Sequence, residues 1–167
     1  MSEEMSNQDI LDMEEADENS TVERCLTFDS GDLILYISTK YVIEIINNHS
    51  ITTLPLMPPY IKGVINLRGQ VLPVVDIKLR MGNGETEYSC LSDSSEDRRP
   101  CIIVLDINGI SLGIIVDSVR QVIDIDFKNV RPIPLKRQQK LLNGMVNMED
   151  GSVYMSIDCD ALSFAEL

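Results

Sequence analysis

The sequence predicts an all-β protein made of repeated short hairpins at the spacing of small barrels. Three observations carry that expectation. Short apolar runs recur from Cys25 onward, each broken by turn residues. Dipeptides that suit tight turns lie between paired runs: Arg68-Gly69, Asn108-Gly109 and Asp150-Gly151. The aromatic fraction is 5% with no tryptophan, so the core must rest on Ile, Val and Leu, whose branched side chains favour strands.

In chain order, residues 1–23 are acidic, carry no basic residue, and bury too little apolar area to offset the entropy of ordering. They are expected to form a solvated tail, with Ile10, Leu11 and Met13 leaving room for a short helical contact. CLTFDSGDLILYI (25–37) offers strand material on either side of Asp29-Ser30-Gly31-Asp32, and TKYVIEIINN (39–48) follows. Pro55, Pro58 and Pro59 then impose an extended, loop-like path. GVINL and QVLPVVDI flank Arg68-Gly69. The polar stretch 83–99 lacks periodicity and reads as an exposed loop. CIIVLDI and ISLGIIVD flank Asn108-Gly109, the clearest hairpin signal, because that pair tolerates positive φ at both central positions. KRQQKLLNG suggests one or two helical turns ending at Gly144, MVNME-DG-SVYMSID a third hairpin, and DCDALSFAEL a short terminal helix.

A chain of 167 residues suits one domain or two small lobes sharing a core. The formal net charge of −13 argues against nucleic acid, whose phosphates need a basic face, and against anionic membrane surfaces. Cys25, Cys90, Cys101 and Cys159 form no C-x-x-C pair and lie far in sequence from His49, so no zinc site is expected; without a secretion signal no disulfides are expected, and Cys101 should pack as a small hydrophobe. MSEEMSNQDI lacks a basic segment leading into an apolar one, and no run approaches the ~20 apolar residues of a membrane helix, so the cytoplasm is the expected compartment.

Nothing marks a catalytic constellation. His49, the sole histidine, lies in the polar stretch NNHS and reads as a turn residue. Gly82-Asn83-Gly84 lacks the lysine and hydroxyl of a phosphate loop. Asp76, Asp106, Asp117, Asp124, Asp126 and Asp158 lie near the ends of apolar runs, where carboxylates cap turns or keep sheet edges soluble. No enzymatic activity, cofactor or metal is expected.

Arg68 and Pro73 stand out. Gly69 supplies positive φ cheaply, whereas arginine is an uncommon turn residue. On a rigid tip its guanidinium suits bidentate contact with a carboxylate or with helix C-terminal carbonyls of a partner, and an ordinary solvated arginine is the other reading. Pro73 lacks a backbone donor, which predicts an edge strand or a bulge. An apolar edge such as VLPVVDI needs covering, and a dedicated partner is one cover.

The stretch Pro58 to Gly82, PPYIKGVINLRGQVLPVVDIKLRMG, resembles the signature of the CheW family of bacterial chemotaxis coupling proteins, through Pro59, Tyr60, Lys62-Gly63, Asn66-Leu67-Arg68-Gly69, Pro73 and Asp76. YVIEI (41–45), IIVLDINGISLGIIVDSVRQVIDI (102–125), VRPIP (130–134) and NGMVNMEDGSVYMSID (143–158) extend the likeness over residues 24–162. The resemblance implies two joined five-stranded SH3-like β-barrel lobes with short helices, divided near residues 24–100 and 101–162, with room for strand exchange between them and 163–167 as the C-terminal end. It implies a non-enzymatic adaptor linking the cytoplasmic tips of methyl-accepting chemoreceptors to the regulatory domain of the chemotaxis histidine kinase, in arrays at the membrane but not inserted in it. The receptor-facing positions would be Val42, Glu44, Gly63 and Arg68, and the kinase-facing ones Val71, Leu72 and Val74. Two features depart from the family pattern: Tyr36 stands where a small residue is commoner, and the chain ends at Leu167, before the long terminal helix of some members. Alternatives are a CheW-like scaffold in another sensory pathway, one fused to a receiver domain, which needs ~100 further residues, and a small β-barrel ligand-binding or catalytic domain.

Overall fold

The computed structural model describes residues 21–88, 99–134 and 141–162. They form ten strands, two one-turn α-helices and two 3-10 turns (Thr39–Tyr41 and Phe127–Asn129): β1 (Val22–Ser30), β2 (Leu33–Ser38), β3 (Val42–Ile46), β4 (Ile61–Leu67), β5 (Gln70–Asp76), α1 (Ile77–Arg80), β6 (Cys101–Ile107), β7 (Ile110–Val116), β8 (Ser118–Asp126), β9 (Leu142–Asn147), β10 (Val153–Ile157) and α2 (Cys159–Leu162). The strands assemble into two five-stranded sheets, ordered β8-β1-β2-β10-β9 and β3-β6-β7-β5-β4.

Turn chemistry sets the hairpins. Arg68 and Gly69 have φ of +53° and +86°, and Asn108 and Gly109 +53° and +84°, so both tips take the primed turn whose twist matches the flanking strands. Between β9 and β10, the Asp150 carboxylate accepts from the Ser152 N–H at 2.9 Å and closes the tip. At the end of β5, Asp76 is fully buried and accepts hydrogen bonds from the N–H groups of Lys78 (3.0 Å), Leu79 (3.3 Å) and Thr86 (2.8 Å) and from the Thr86 hydroxyl (2.8 Å). It caps α1 and pins the start of the polar stretch, so Thr86 is buried rather than exposed. Residues 89–98 lie outside the described residues.

Side-chain alternation divides the interior into three cores. On β6, Cys101, Ile103, Leu105 and Ile107 face the other sheet, while Ile102 and Val104 face inside their own. Leu26, Phe28, Leu35, Ile37, Met155 and Ile157 supply the opposing side of the shared layer. Cys25, Tyr36, Ile125, Val146 and Tyr154 fill the inside of the first lobe. Both faces of β6 and β7 are therefore apolar, which explains their unbroken hydrophobic runs.

Several expectations are corrected. The lobes do not divide near residue 100: the first sheet takes 22–38 and 118–157 and the second 42–116, because β8 returns to pair with β1. The acidic tail ends sooner than expected, since Val22 and Glu23 already pair with Asp126 and Ile125; residues 1–20 lie outside the described residues. Leu142–Gly144 belong to β9 rather than to a helix; residues 135–140, and 163–167 beyond α2, lie outside the description. Pro73 is on an interior strand, between β4 and β7. It is tolerated because the N–H and C=O of its β4 neighbour Val64 bond to Thr52 instead (2.9 and 2.8 Å), and because pairing with β7 starts only at Val74.

The sheets also repeat one another. Exchanging β8, β1, β2, β10, β9 for β3, β6, β7, β5, β4 maps one order onto the other. In each, the second and fourth strands of the mapping are antiparallel and parallel neighbours of the third. The bulge at Ile61/Gly63 matches that at Ser156/Ile157, and the isolated bridge Thr52–Val64 matches Arg131–Met145. Gly63-Val-Ile-Asn and Gly144-Met-Val-Asn occupy the same place.

Ile103 is fully buried in the shared layer. Truncating it to alanine should remove ~3 kcal/mol in urea unfolding followed by circular dichroism, in a single transition for both lobes. A loss below ~1 kcal/mol, or two separate transitions, would contradict the shared core.

Candidate functional site

The β4–β5 tip carries the site. Holding a non-glycine residue in the left-handed region costs on the order of 1 kcal/mol, and Arg68 is held there. The Asn66 carboxamide oxygen accepts from the Gly69 N–H at 2.9 Å and fixes the turn from below. The arginine then reaches across to β3, where its Nη1 donates to Glu44 Oε1 at 2.6 Å and its Nη2 to Oε2 at 3.2 Å. Because β3 and β4 are the two ends of their sheet, this fork spans the open seam of the barrel.

The two partners are unequally covered. The Arg68 side chain is 74% exposed and that of Glu44 24%. Glu44, through its hydrogen bonds and then its charge, raises the already high pKa of the guanidinium. An exposed pair of this kind stabilises by only ~0–1 kcal/mol. The guanidinium is therefore held in place yet remains open to a second carboxylate or carbonyl on its solvent side.

The structure sorts the expected site residues. Glu44 and Arg68 come together across β3 and the tip, and Val42, two residues before Glu44 on β3, is half-buried against the shared core. Gly63 does not: it is buried with φ +145°, and a Cβ there would lie 2.1 Å from the Thr52 carbonyl oxygen. It is glycine so that residues 51–52 can press against β4, and it positions the wall rather than offering contact. Of the three positions on β5, Val71 is exposed, whereas Leu72 and Val74 point into the second lobe's core. Alternation along one strand cannot turn neighbouring side chains outward together.

Sequence reading missed other surface groups. Ile43 and Ile45 alternate with Val42 and Glu44 and face outward, and Leu54, Leu56 and Met57 are exposed in the proline segment, Leu56 fully and with φ +60°. Their signal was present, as apolar residues among prolines with no opposite run to pair with.

The polar groups that the sequence offered as chemical candidates serve the fold where they are described. The His49 carbonyl accepts from the Tyr88 hydroxyl at 2.8 Å, in irregular chain just past the bend at residues 47–48 rather than in the expected turn. Asp106 closes its own turn by accepting from the Gly109 N–H, and Asp117 accepts from the Gly31 N–H. Burial pushes the thiols of Cys25, Cys101 and Cys159 up to about 11, far from nucleophile range at neutral pH. Among the described residues, no group of three or more His, Cys, Asp or Glu is placed to hold a metal, and no helix is long and apolar enough to cross a membrane.

Two substitutions separate structural from surface roles. Gly63→Ala should lower stability by more than ~2 kcal/mol, since backbone atoms must move. Glu44→Gln should change it by less than ~0.5 kcal/mol in the same urea titration. The reverse order would contradict the assignment of Gly63 to the wall and Glu44 to the surface.

Comparison with known proteins bears on the family and the fold. The family model described as "CheW-like domain" matches residues 24–166. The chain is 32% identical over 109 residues to Chemotaxis protein CheW of Rhizobium meliloti, covering 65% of each chain. It is 30% identical over 109 residues to Chemotaxis protein CheW of Klebsiella aerogenes, covering 65% of this chain and 61% of that one. The match thus spans just under two thirds of the length of these curated relatives. Among solved structures, the scaffolding protein TtCheW from Thermoanaerobacter tengcongensis superposes with a TM-score of 0.70 at 30% identity, over 81% of this chain and 88% of that one. From fold, motif and likeness together, the chain belongs to the CheW-like domain family.

Proposed function

We propose that this protein is a non-catalytic coupling adaptor of bacterial chemotaxis, joining the cytoplasmic tips of methyl-accepting chemoreceptors to the regulatory domain of the chemotaxis histidine kinase. It acts in the cytoplasm, at membrane-bound receptor arrays. The observation that carries this reading is the exposed Arg68 fork, held by Glu44 on a rigid turn. Family membership and the relatives' description as chemotaxis proteins support the setting.

The receptor tip is a helical hairpin in the family, and such a hairpin offers carboxylates and terminal carbonyls. Arg68 can engage either on its solvent side without leaving Glu44. Glu44 lies beneath it, and Val42 is half-buried two residues earlier on the same strand. On β5, Val71 is the kinase contact that remains, its side chain being 62% exposed. Leu72 and Val74 point into the second lobe's core.

Arg68→Glu should leave the unfolding midpoint within ~0.5 kcal/mol of wild type and weaken binding to a receptor-tip fragment at least ~10-fold, measured by isothermal titration calorimetry. Partial recovery in the Glu44→Arg, Arg68→Glu double variant would distinguish tip orientation from charge alone. Unchanged receptor affinity in a folded Arg68→Glu variant would overturn the receptor assignment. Val71→Asp should impair capture of the kinase regulatory domain while receptor binding persists; loss of both, or of neither, contradicts a separate kinase face.

A further inference from the structure

The β4–β5 and β6–β7 tips are built alike. Arg68-Gly69 and Asn108-Gly109 have matching φ values, +53° and +86° against +53° and +84°. In each, the side chain that opens the turn also closes it. Asn66 Oδ1 accepts from the Gly69 N–H at 2.9 Å, and Asp106 Oδ1 accepts from the Gly109 N–H at 2.9 Å. A carboxamide and a carboxylate thus serve the same turn at the same length. The β9–β10 tip also uses a carboxylate, since Asp150 accepts from the Ser152 N–H at 2.9 Å. Backbone geometry does not select the amide at residue 66.

The difference lies in what each tip carries. Asp106-Ile107-Asn108-Gly109 and Met148-Glu149-Asp150-Gly151-Ser152 contain no cation. The β4–β5 tip holds Arg68, 74% exposed, with its guanidinium forked on Glu44. Arg68 and Glu44 together are neutral, and Asn66 is an exposed, uncharged neighbour on the same turn. A carboxylate at residue 66 would make this tip net negative. Exposed charges act on one another within about a Debye length, ~8 Å at physiological salt. The chain as a whole carries a formal charge of −13 and already opposes an approaching anion, so local neutrality at the tip matters to an acidic partner.

We propose that Asn66 is a specificity-determining residue of the Arg68 face. Its amide closes the turn without adding negative charge, which keeps the solvent side of the guanidinium available to a carboxylate of the partner. The inference rests on the coupling reading and deepens it: of the two groups that Arg68 can engage, carboxylate and carbonyl, it selects the carboxylate. A neutral carbonyl responds far less to charge at residue 66.

The test is stopped-flow association of the full chain with a receptor-tip helical-hairpin fragment at ~50 and ~300 mM salt. Asn66→Asp should keep the urea unfolding midpoint of wild type, because a carboxylate closes the turn at Asp106. It should slow association ~3-fold or more at low salt, and the loss should shrink at high salt. Asn66→Ser, which is uncharged, and Asp106→Asn, at the other tip, should associate within ~2-fold of wild type. The proposal is overturned if Asn66→Asp associates as wild type does, if its loss does not respond to salt, or if it lowers the midpoint. Equal slowing in Asn66→Ser overturns it as well, by assigning Asn66 to the turn and not to its charge. Unchanged association in Arg68→Glu is a different failure, that of the coupling reading itself.

Discussion

The structure depends on one apolar layer. β6 and β7 offer alternating residues to two sides at once, and the side facing the first lobe meets Leu26, Phe28, Leu35, Ile37 and Met155. Neither sheet could be stable alone, since each would expose this face to water. The chain reinforces the layer by topology: β8 leaves the second lobe and pairs with β1, so the two lobes interleave along the sequence. Asp117, between β7 and β8, accepts from the Gly31 N–H at 2.5 Å and lies 3.8 Å from Lys78 on α1, joining both lobes at the crossing.

A frame welded in this way explains how a weak surface pair can be useful. The Arg68–Glu44 fork contributes little to folding, but the strands that hold it are fixed by the shared core. Its geometry is therefore set before a partner arrives, which lowers the entropy lost on binding. The duplicated lobes share strand order, bulges and edge bridges yet diverge in what lies at corresponding positions. The Arg68 fork stands at the tip of one, and Glu149 and Asp150 stand at the tip of the other.

Much of the fold was legible because hairpins are local. Asn108-Gly109 and Asp150-Gly151 mark turns through backbone preference alone, and alternation marks the strands. The division into lobes was not legible in that way, since β8 reads the same whether it pairs with β7 or with β1, and only long-range packing decides. Pro73 misled for a similar reason: a missing donor excludes a bond, and which neighbour forgoes it depends on Thr52 reaching Val64. At the site, Arg68 was readable because its residue type is unusual for the turn. Gly63, Leu72 and Val74 were placed on the surface by motif likeness, whereas pleat direction and close backbone approach put them inside. The uncharged closure by Asn66 became visible only beside Asp106, once the two tips proved to take the same turn.

The central claim is that a rigid two-lobed frame presents the β3–tip face to a receptor without itself rearranging. Amide hydrogen exchange, with and without a receptor-tip helical hairpin, tests it most directly. Protection should rise at residues 42–46 and 66–71 while exchange in 101–116 stays unchanged. Protection elsewhere with none at the tip, or loosening of the shared layer on binding, would contradict the account.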